Sequence, residues 1–144
     1  MNDDLHFRKL ERMYLSAPCN KYYRPQLTIS RGACELVIPI KEDFFHAGGA
    51  THGSVYFKAL DDAAYFAVNS LVKDVFVLTI SFNVHFLRPI SEGEMRARGK
   101  AFFSSRELFW GESIIYDSKE REIARGSGLF AASKVKLSPE IGYQ

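Results

Sequence analysis

The sequence predicts an α+β fold in which one long buried helix packs against an antiparallel sheet. Two observations carry this prediction. Residues 54–72 are apolar on nearly every face of a helix, and such a helix must be enclosed by other elements. From residue 79 onward, apolar and polar residues alternate in short runs joined by turn residues, which is typical of an antiparallel meander. A curved sheet wrapped along the helix would satisfy both patterns.

The segment before the buried helix predicts one short helix and one strand. Residues 3–15 carry apolar side chains at helical spacing between charged ones, so residues 1–16 are predicted to be an N-terminal amphipathic helix that ends near Pro18. Residues 20–30 show no clear period. Residues 33–40 alternate as a strand does and are followed by a charged cluster.

The segment after the buried helix predicts the larger part of the sheet. Apolar and polar residues alternate over residues 79–86, and Arg88-Pro89 ends that strand. We expect residues 134–144 to form a flexible tail and the whole chain, 1–144, to form a single domain. The other strands are expected at residues 94–103, 107–117 and 122–133.

Composition excludes several classes of function. The net charge of +2 comes from Lys and Arg scattered among acidic residues, so no nucleic-acid partner is predicted. No apolar run reaches the ~20 residues of a membrane-spanning helix, and the polar, acidic N-terminus does not resemble a signal peptide. Cys19 and Cys34 lack metal-ligand spacing and follow no recognisable secretory leader, so we predict a cytoplasmic protein with two reduced thiols.

Two adjacent carboxylates, Asp61 and Asp62, interrupt the buried helix. A carboxylate among apolar side chains costs several kcal/mol unless it is paired or faces a cavity. Neighbouring helix positions point ~100° apart, so the two side chains cannot face the same place. We predict that one faces a pocket or an interface and that the other has a structural partner, although both could be structural.

A glycine-rich loop, residues 44–53, leads directly into the helix. The free N–H groups and the dipole of a helix start suit a developing oxyanion or a phosphate, and glycines let a substrate approach the backbone. The same glycines could be ordinary turn residues, and the loop lacks the ending of a P-loop. The four histidines are not spaced as a converging set of metal ligands, so neither a metal nor a cofactor is predicted; they are His6, His46, His52 and His85.

Three segments stand in one order along the chain: His52-Gly53-Ser54 with Leu60-Asp61, then residues 81–89, then residues 125–130. Together they resemble the hot-dog acyl-CoA thioesterases of the phenylacetate-pathway and human thioesterase-superfamily-member type. The first resembles that family's His-Gly-Gly loop and helix aspartate, the second its strand ending in Phe-Leu-Arg-Pro, and the third its final strand. The resemblance covers residues 44–132. It implies a hot-dog fold and the hydrolysis of acyl-CoA thioesters.

The resemblance also implies catalytic roles. Asp61 stands at the position of the family's catalytic carboxylate, which acts as general base on water or as nucleophile towards the thioester. Gly53 corresponds to the backbone N–H that polarises the carbonyl, and Thr79 to a Ser or Thr that helps to hold the water. His46 departs from the family, which usually has Asn or Gln there; imidazole could donate a similar hydrogen bond.

Five further residues are assigned to substrate binding by the same resemblance. His52 and Ser54 flank the loop glycine, and Ser54 replaces the second glycine of the family's loop, where it could cap helix N–H groups. Arg88, Ser105 and Arg106 lie in a region from which such proteins often contact the coenzyme A phosphates.

Three functions remain open at this point. The first is acyl-CoA thioester hydrolysis, and the second is non-catalytic acyl-CoA binding or sensing on the same fold, which His46 favours. The third, a hydratase or dehydratase with an Asp/His pair, fits the spacing least. Candidates for the acyl-group lining, which plain core packing would explain equally, are Phe57, Tyr65, Phe66, Phe109 and Trp110.

A homodimer or homotetramer is also expected, because homologous folds pair so that the sheet continues between subunits and the site lies at the seam. Thr79, Ser81, Asn83 and His85 would form one polar face of the strand and could be buried there. Exposure of that face to solvent would explain the pattern equally.

Overall fold

The structure, a computed structural model, describes residues 2–144, and the side chains of all of these except residues 103 and 104. Two 3-10 turns, Glu42–Phe44 and Pro139–Ile141, accompany the regular elements. The helices are α1 (Asp3–Ser16), α2 (Asn20–Tyr23) and α3 (Gly53–Asn69). The strands are β1 (Gln26–Ser30), β2 (Ala33–Pro39), β3 (Val75–Phe86), β4 (Glu94–Ser104), β5 (Leu108–Tyr116) and β6 (Glu122–Lys136).

The strands form one antiparallel sheet in the order β1-β2-β4-β5-β6-β3. The sheet wraps around α3, as the sequence predicts, and contacts it from strands on both halves. Small residues permit this close packing: a Cβ at Gly99 would lie 2.1 Å from the Ala63 carbonyl oxygen. Residues 63–69 of α3 are all buried, so the middle of the helix forms the centre of the core.

The long helix ends at Asn69, three residues before the predicted end at Val72. The Asn69 side chain is fully buried; its amide nitrogen donates to the carbonyls of Val72 and Val75, and its oxygen accepts from the Val77 N–H. These bonds turn the chain out of the helix and into β3. Residues 20–30, which show no clear period, form α2 and β1, so the sheet has one strand more than the five that the sequence predicts.

The C-terminal segment is packed against the domain, whereas the sequence predicts a flexible tail from residue 134. Strand β6 continues to Lys136, and Tyr143 is buried near the end of the chain. The fully buried His6 of α1 lies between Tyr143 and the end of α3: its Nδ1 is 2.7 Å from the Tyr143 hydroxyl and its Nε2 is 2.9 Å from the Asn69 carbonyl oxygen. The tail therefore ties α1 to the end of α3.

The two edges of the sheet differ. The edge at β1 is covered by α1, where Arg8 donates to the Ile29 carbonyl at 2.8 Å and Glu11 accepts the Ile29 N–H at 2.8 Å. The edge at β3 pairs only with β6 and leaves Leu78 and Ile80 about half exposed (51% and 55%). An open, apolar edge strand is a template for pairing with another strand.

A β-bulge at Ile80 changes the face of Thr79. Thr79 is paired with Phe130 and Ser81 with Leu129, so Ile80 is an extra residue on β3. Phe130 is fully buried on the inner face of the sheet, and directly paired residues share a face. Thr79 therefore faces α3, while Ser81 faces outward. The predicted continuous polar face from Thr79 to His85 is wrong at its first residue for this reason.

No helix among residues 2–144 is long and apolar enough to cross a membrane.

Candidate active site

The start of α3 presents a free backbone donor. His52 is the N-cap residue, and its Nδ1 accepts the Ser54 N–H at 3.0 Å and lies 2.9 Å from Ser54 Oγ. Gly53 occupies the first helical position, and its N–H has no hydrogen-bond acceptor among the described residues. The substrate-binding candidates His52 and Ser54 thus bind one another and shape the helix start, with the Gly53 donor between them.

A cavity of about 410 Å³, called here the front cavity, opens beside this helix start. The Tyr56 hydroxyl donates to the Arg88 carbonyl at 2.9 Å and fixes the chain after β3 along one wall. Thr51 is 4% exposed, and its buried hydroxyl has no hydrogen-bond partner among the described residues. A buried hydroxyl of this kind calls for a polar partner. The front cavity is lined by His46, Thr51, Gly53, Tyr56, Phe86 and Arg88, among others.

Asp61 lies two turns further along α3, in a different cavity. Its Oδ1 accepts a hydrogen bond of 2.9 Å from the Thr79 hydroxyl, which the bulge at Ile80 directs inward. The pKa of Asp61 is raised to about 6, mainly by burial; the Thr79 bond and Lys58 oppose the rise, and the neighbouring Asp62 adds to it. This carboxylate can therefore exchange a proton near neutral pH.

Asp62 has a different environment. Its Oδ2 accepts from Lys58 Nζ at 2.7 Å and from the Tyr14 hydroxyl at 2.6 Å, and the Lys58 and Asp62 side chains are only 15% and 18% exposed. The Lys58 ammonium group also lies over the rings of Tyr14 and Tyr23, at 5.3 and 4.8 Å. Asp62 thus holds α1 against α3, as expected for a carboxylate with a structural partner. Asp61 and Asp62 nevertheless line the same cavity, so the prediction that they cannot face the same place is wrong.

The cavity beside Asp61, called here the aspartate cavity, has a volume of about 350 Å³. Of the predicted lining aromatics, Tyr65 and Phe66 face it; Phe109 lies in the core and Phe57 packs on Phe82 instead. Trp110 donates to Glu112, which is exposed. The walls include Met13, Tyr14, Tyr65, Phe66, Phe76 and Leu78. Asp61, Asp62 and Lys58 are among its polar lining groups, and a mostly apolar chamber of this kind suits an acyl group.

The Gly53 donor and the Asp61 carboxylate are separated within one chain. They lie eight residues apart on a straight helix, which corresponds to ~12 Å along its axis. They also line separate cavities. A single thioester carbonyl cannot reach both groups in one isolated chain.

The known proteins that this chain resembles agree with this architecture. A family model described as thioesterase superfamily matches residues 48–124, more than half of the chain. The chain belongs to the thioesterase superfamily. A Sulfurisphaera tokodaii protein named as a proposed esterase is 28% identical over 103 residues, covering 71% of this chain and 76% of the relative. Family and relative together support hydrolysis of a thioester or an ester.

Two solved structures confirm the predicted hot-dog fold. The PaaI protein from the phenylacetic acid degradation operon of Escherichia coli superposes with a TM-score of 0.85 at 15% identity, over 94% of this chain and 99% of that chain. A thioesterase family protein from Silicibacter pomeroyi gives a TM-score of 0.82 at 26% identity, over 88% of this chain and 97% of that chain.

The remaining predicted site residues of this superfamily member fall into two groups. Arg88 and His46 line the front cavity with Gly53. Ser105 and Arg106 lie at the exposed tip of the β4–β5 hairpin, where the Ser105 hydroxyl bonds to Leu108, and they line neither cavity. Residues 2–144 contain no group of three His, Cys, Asp or Glu side chains that could hold a metal ion.

Three residues near the site had no place in the sequence prediction. Lys58, four residues before Asp62, could have been found from the ion-pair spacing of a helix. Tyr14 is 48 residues from Asp62, and Thr51 is a loop residue that belongs to no motif, so no local pattern identifies either of them.

Proposed function

We propose that this protein hydrolyses acyl-CoA thioesters, with Asp61 as base or nucleophile and the Gly53 N–H polarising the carbonyl. The observation that carries the proposal is Asp61 itself: burial is the main cause that raises its pKa to about 6, and it lines a mostly apolar cavity. A general base is most effective when its pKa lies near the working pH. The family and its relatives supply the reaction class.

We further propose that each active site is shared by two subunits. Phe86, at one end of β3, packs on Tyr56 near the helix start, and a Cβ at Gly53 would lie 3.1 Å from its ring. Thr79, towards the other end of β3, bonds to Asp61. Antiparallel pairing of β3 with its copy, centred on Asn83 so that paired residues share a face, would set Phe86 opposite Ile80 of the partner subunit and beside Thr79 of the partner subunit. Gly53 would then approach Asp61 of the partner subunit.

The open edge of β3 supports this pairing. The other edge of the sheet is closed by α1, so strand addition is directed to β3. Leu78, Ile80, Phe86 and Leu87 are each about half exposed there, and an exposed apolar surface of this kind marks an interface. We expect light scattering to give a dimer or a tetramer; a monomer that turns over acyl-CoA would contradict the shared site.

The proposed reaction follows from these groups. Water attacks the thioester carbonyl carbon as its proton passes to the Asp61 carboxylate, while Thr79 holds the carboxylate in place. The carbonyl oxygen becomes an oxyanion that accepts the Gly53 N–H at the positive end of the helix dipole. The C–S bond then breaks, the leaving thiolate takes a proton, and the free acid and coenzyme A result. In the alternative, Asp61 attacks first and water hydrolyses the anhydride.

The acyl group would occupy the aspartate cavity. A cavity of about 150 Å³ accommodates benzene, so about 350 Å³ is room for an aryl or a medium-length acyl group. The coenzyme A moiety of the bound substrate would extend to solvent through the front cavity, past Arg88. The reaction needs no cofactor. We expect it to take place in the cytoplasm, where the free thiols Cys19 and Cys34 would stay reduced.

A panel of short, long and aryl acyl-CoA esters tests the activity directly. We expect thiol release from at least one class, with aryl and medium-chain esters favoured by the cavity volume. The second candidate, acyl-CoA binding without turnover, is favoured by His46 at the position where the family usually has Asn or Gln. It predicts thermal stabilisation by acyl-CoA but no thiol release from any ester in the panel.

The pH profile of kcat/KM is expected to fall on the acid side below about pH 6. Asp61 must be ionised to accept a proton, and burial raises its pKa to about 6, so activity is lost as pH falls through that value. A Thr79→Val variant removes the bond that lowers this pKa, so its acid limb should move to higher pH. An acid limb unmoved by Thr79→Val would assign the titration to another group.

A further inference from the structure

The His46 ring is held by a backbone hydrogen bond from its own loop. The Gly48 N–H donates to His46 Nδ1 at 2.9 Å. A nitrogen that accepts a hydrogen bond carries no proton, so the neutral ring carries its proton on Nε2. His46 therefore has a fixed tautomer with one N–H donor, on the ring nitrogen that Gly48 does not engage.

Gly48 also leaves the space that the ring occupies. A Cβ at Gly48 would lie 2.9 Å from His46 Cε1 and 3.0 Å from Nδ1, closer than real Cβ contacts. Gly48 has no positive φ, so the backbone itself would accept alanine. The absence of a side chain at Gly48 is thus needed for the position of the imidazole and not for the turn.

The loop backbone is held independently of the ring. The His46 N–H donates to the Ala50 carbonyl at 3.0 Å, and the Gly49 N–H donates to the His46 carbonyl at 3.0 Å. Phe45 and Thr51 close the loop with a β-bridge. A substitution at Gly48 would therefore move the ring more than the loop.

The cavity that His46 lines contains other groups without partners. The Gly53 N–H has no acceptor and the Thr51 hydroxyl is buried without a partner, within the described part of the chain. His46, Thr51 and Gly53 all line the front cavity. Three polar groups at one cavity, two of them unpaired, suit a ligand oxygen that accepts hydrogen bonds.

We propose that Gly48 is a positioning residue that holds His46 as an Nε2–H donor towards the thioester carbonyl, beside the Gly53 N–H. This inference rests on the proposed function. It accounts for the departure at His46, because an imidazole fixed in this tautomer offers one directed N–H, as the side-chain amide of Asn or Gln does. Gly48 thus fixes both the position and the tautomer of the His46 ring, an arrangement called here the lock.

A double-mutant cycle tests the inference. Gly48→Ala is expected to lower kcat/KM about 10- to 100-fold when His46 is present, because the ring is displaced from the carbonyl. In a His46→Asn background, where no ring is displaced, the same substitution should cost less than about threefold. Equal losses in the two backgrounds would show a general effect on the loop and overturn the inference.

The tautomer of His46 gives a second readout that needs no turnover. In the whole oligomer, 15N NMR of the imidazole should show a protonated Nε2 and an accepting Nδ1, and Gly48→Ala should abolish this pattern. A protonated Nδ1 in the wild-type protein would overturn the lock even if acyl-CoA is hydrolysed. An intact lock in a protein without thioesterase activity would instead overturn the proposed function and, with it, the donor role of His46.

Discussion

Replacing Asp61 by asparagine is expected to lower kcat/KM for acyl-CoA hydrolysis by about 100- to 10,000-fold, the usual contribution of a general base. Asparagine has nearly the same shape, and its amide oxygen can keep the Thr79 bond, but it cannot accept the proton of water. Initial rates of thiol release at acyl-CoA concentrations well below KM measure the loss. Retention of wild-type activity by Asp61→Asn would remove Asp61 from the mechanism and leave the fold untouched.

The same substitution is expected to raise stability at neutral pH. Burial raises the pKa of Asp61 from 3.8 to about 6, so the folded state holds the proton more tightly than the unfolded state. The favourable contribution is present below the unfolded value and is lost as pH rises through about 6. At pH 8 the ionised carboxylate therefore costs up to about 3 kcal/mol, at ~1.4 kcal/mol per pKa unit. Asp61→Asn should recover part of this.

Asp62→Asn is the matched control for the stability measurement. It replaces the carboxylate that accepts from Lys58 and Tyr14 by a neutral amide and leaves a largely buried ammonium group without its counter-charge. We expect it to lower the melting temperature at pH 8, whereas Asp61→Asn raises it. Two neighbouring carboxylates would then change stability in opposite directions. The same sign for both would contradict the separate environments assigned to them.

Gly53→Pro is expected to lower kcat by about 100- to 1,000-fold, the usual effect of removing one oxyanion donor. Proline has no N–H, and it is well tolerated at the first position of a helix. His52, with φ −64° and ψ 145°, already has the extended conformation that a residue before proline requires. The substitution thus removes the donor while keeping the backbone.

Gly53→Ala separates the donor from crowding. It adds a Cβ 3.1 Å from the Phe86 ring, as proline also does, but it keeps the N–H. We expect alanine to cost much less than proline in kcat. Equal losses for the two variants would show that contact with Phe86, and not the missing N–H, lowers the rate.

The central helix and its carboxylates were predictable because their signals are local. A segment apolar on all faces must be enclosed, and adjacent carboxylates within it must be paired or face a cavity. The position of Thr79, the residue that bonds to Asp61, was harder to predict. The resemblance indicates Thr79, but the strand pattern puts it on the wrong face, because a strict two-residue period cannot reveal the extra residue at Ile80.

Contacts between distant segments were also beyond the sequence. The partner of Asp62 in α1, Tyr14, is 48 residues away, and the packing of Tyr143 on His6 joins opposite ends of the chain. Both come from tertiary packing and leave no periodic pattern. The same holds for the end of α3, where one buried side chain, Asn69, binds three backbone groups.

The central claim is that each site takes its backbone donor from one subunit and its carboxylate from the other. Mixing Asp61→Asn subunits with Gly53→Pro subunits tests this, after unfolding and joint refolding, with light scattering to establish the dimer. A mixed dimer would contain one site with both groups intact and one with neither. We therefore predict that a 1:1 mixture regains about a quarter of wild-type activity, because half of the dimers are mixed and each has one working site of two. A mixture no more active than the average of its two parents would place both groups in the same chain and contradict the shared site.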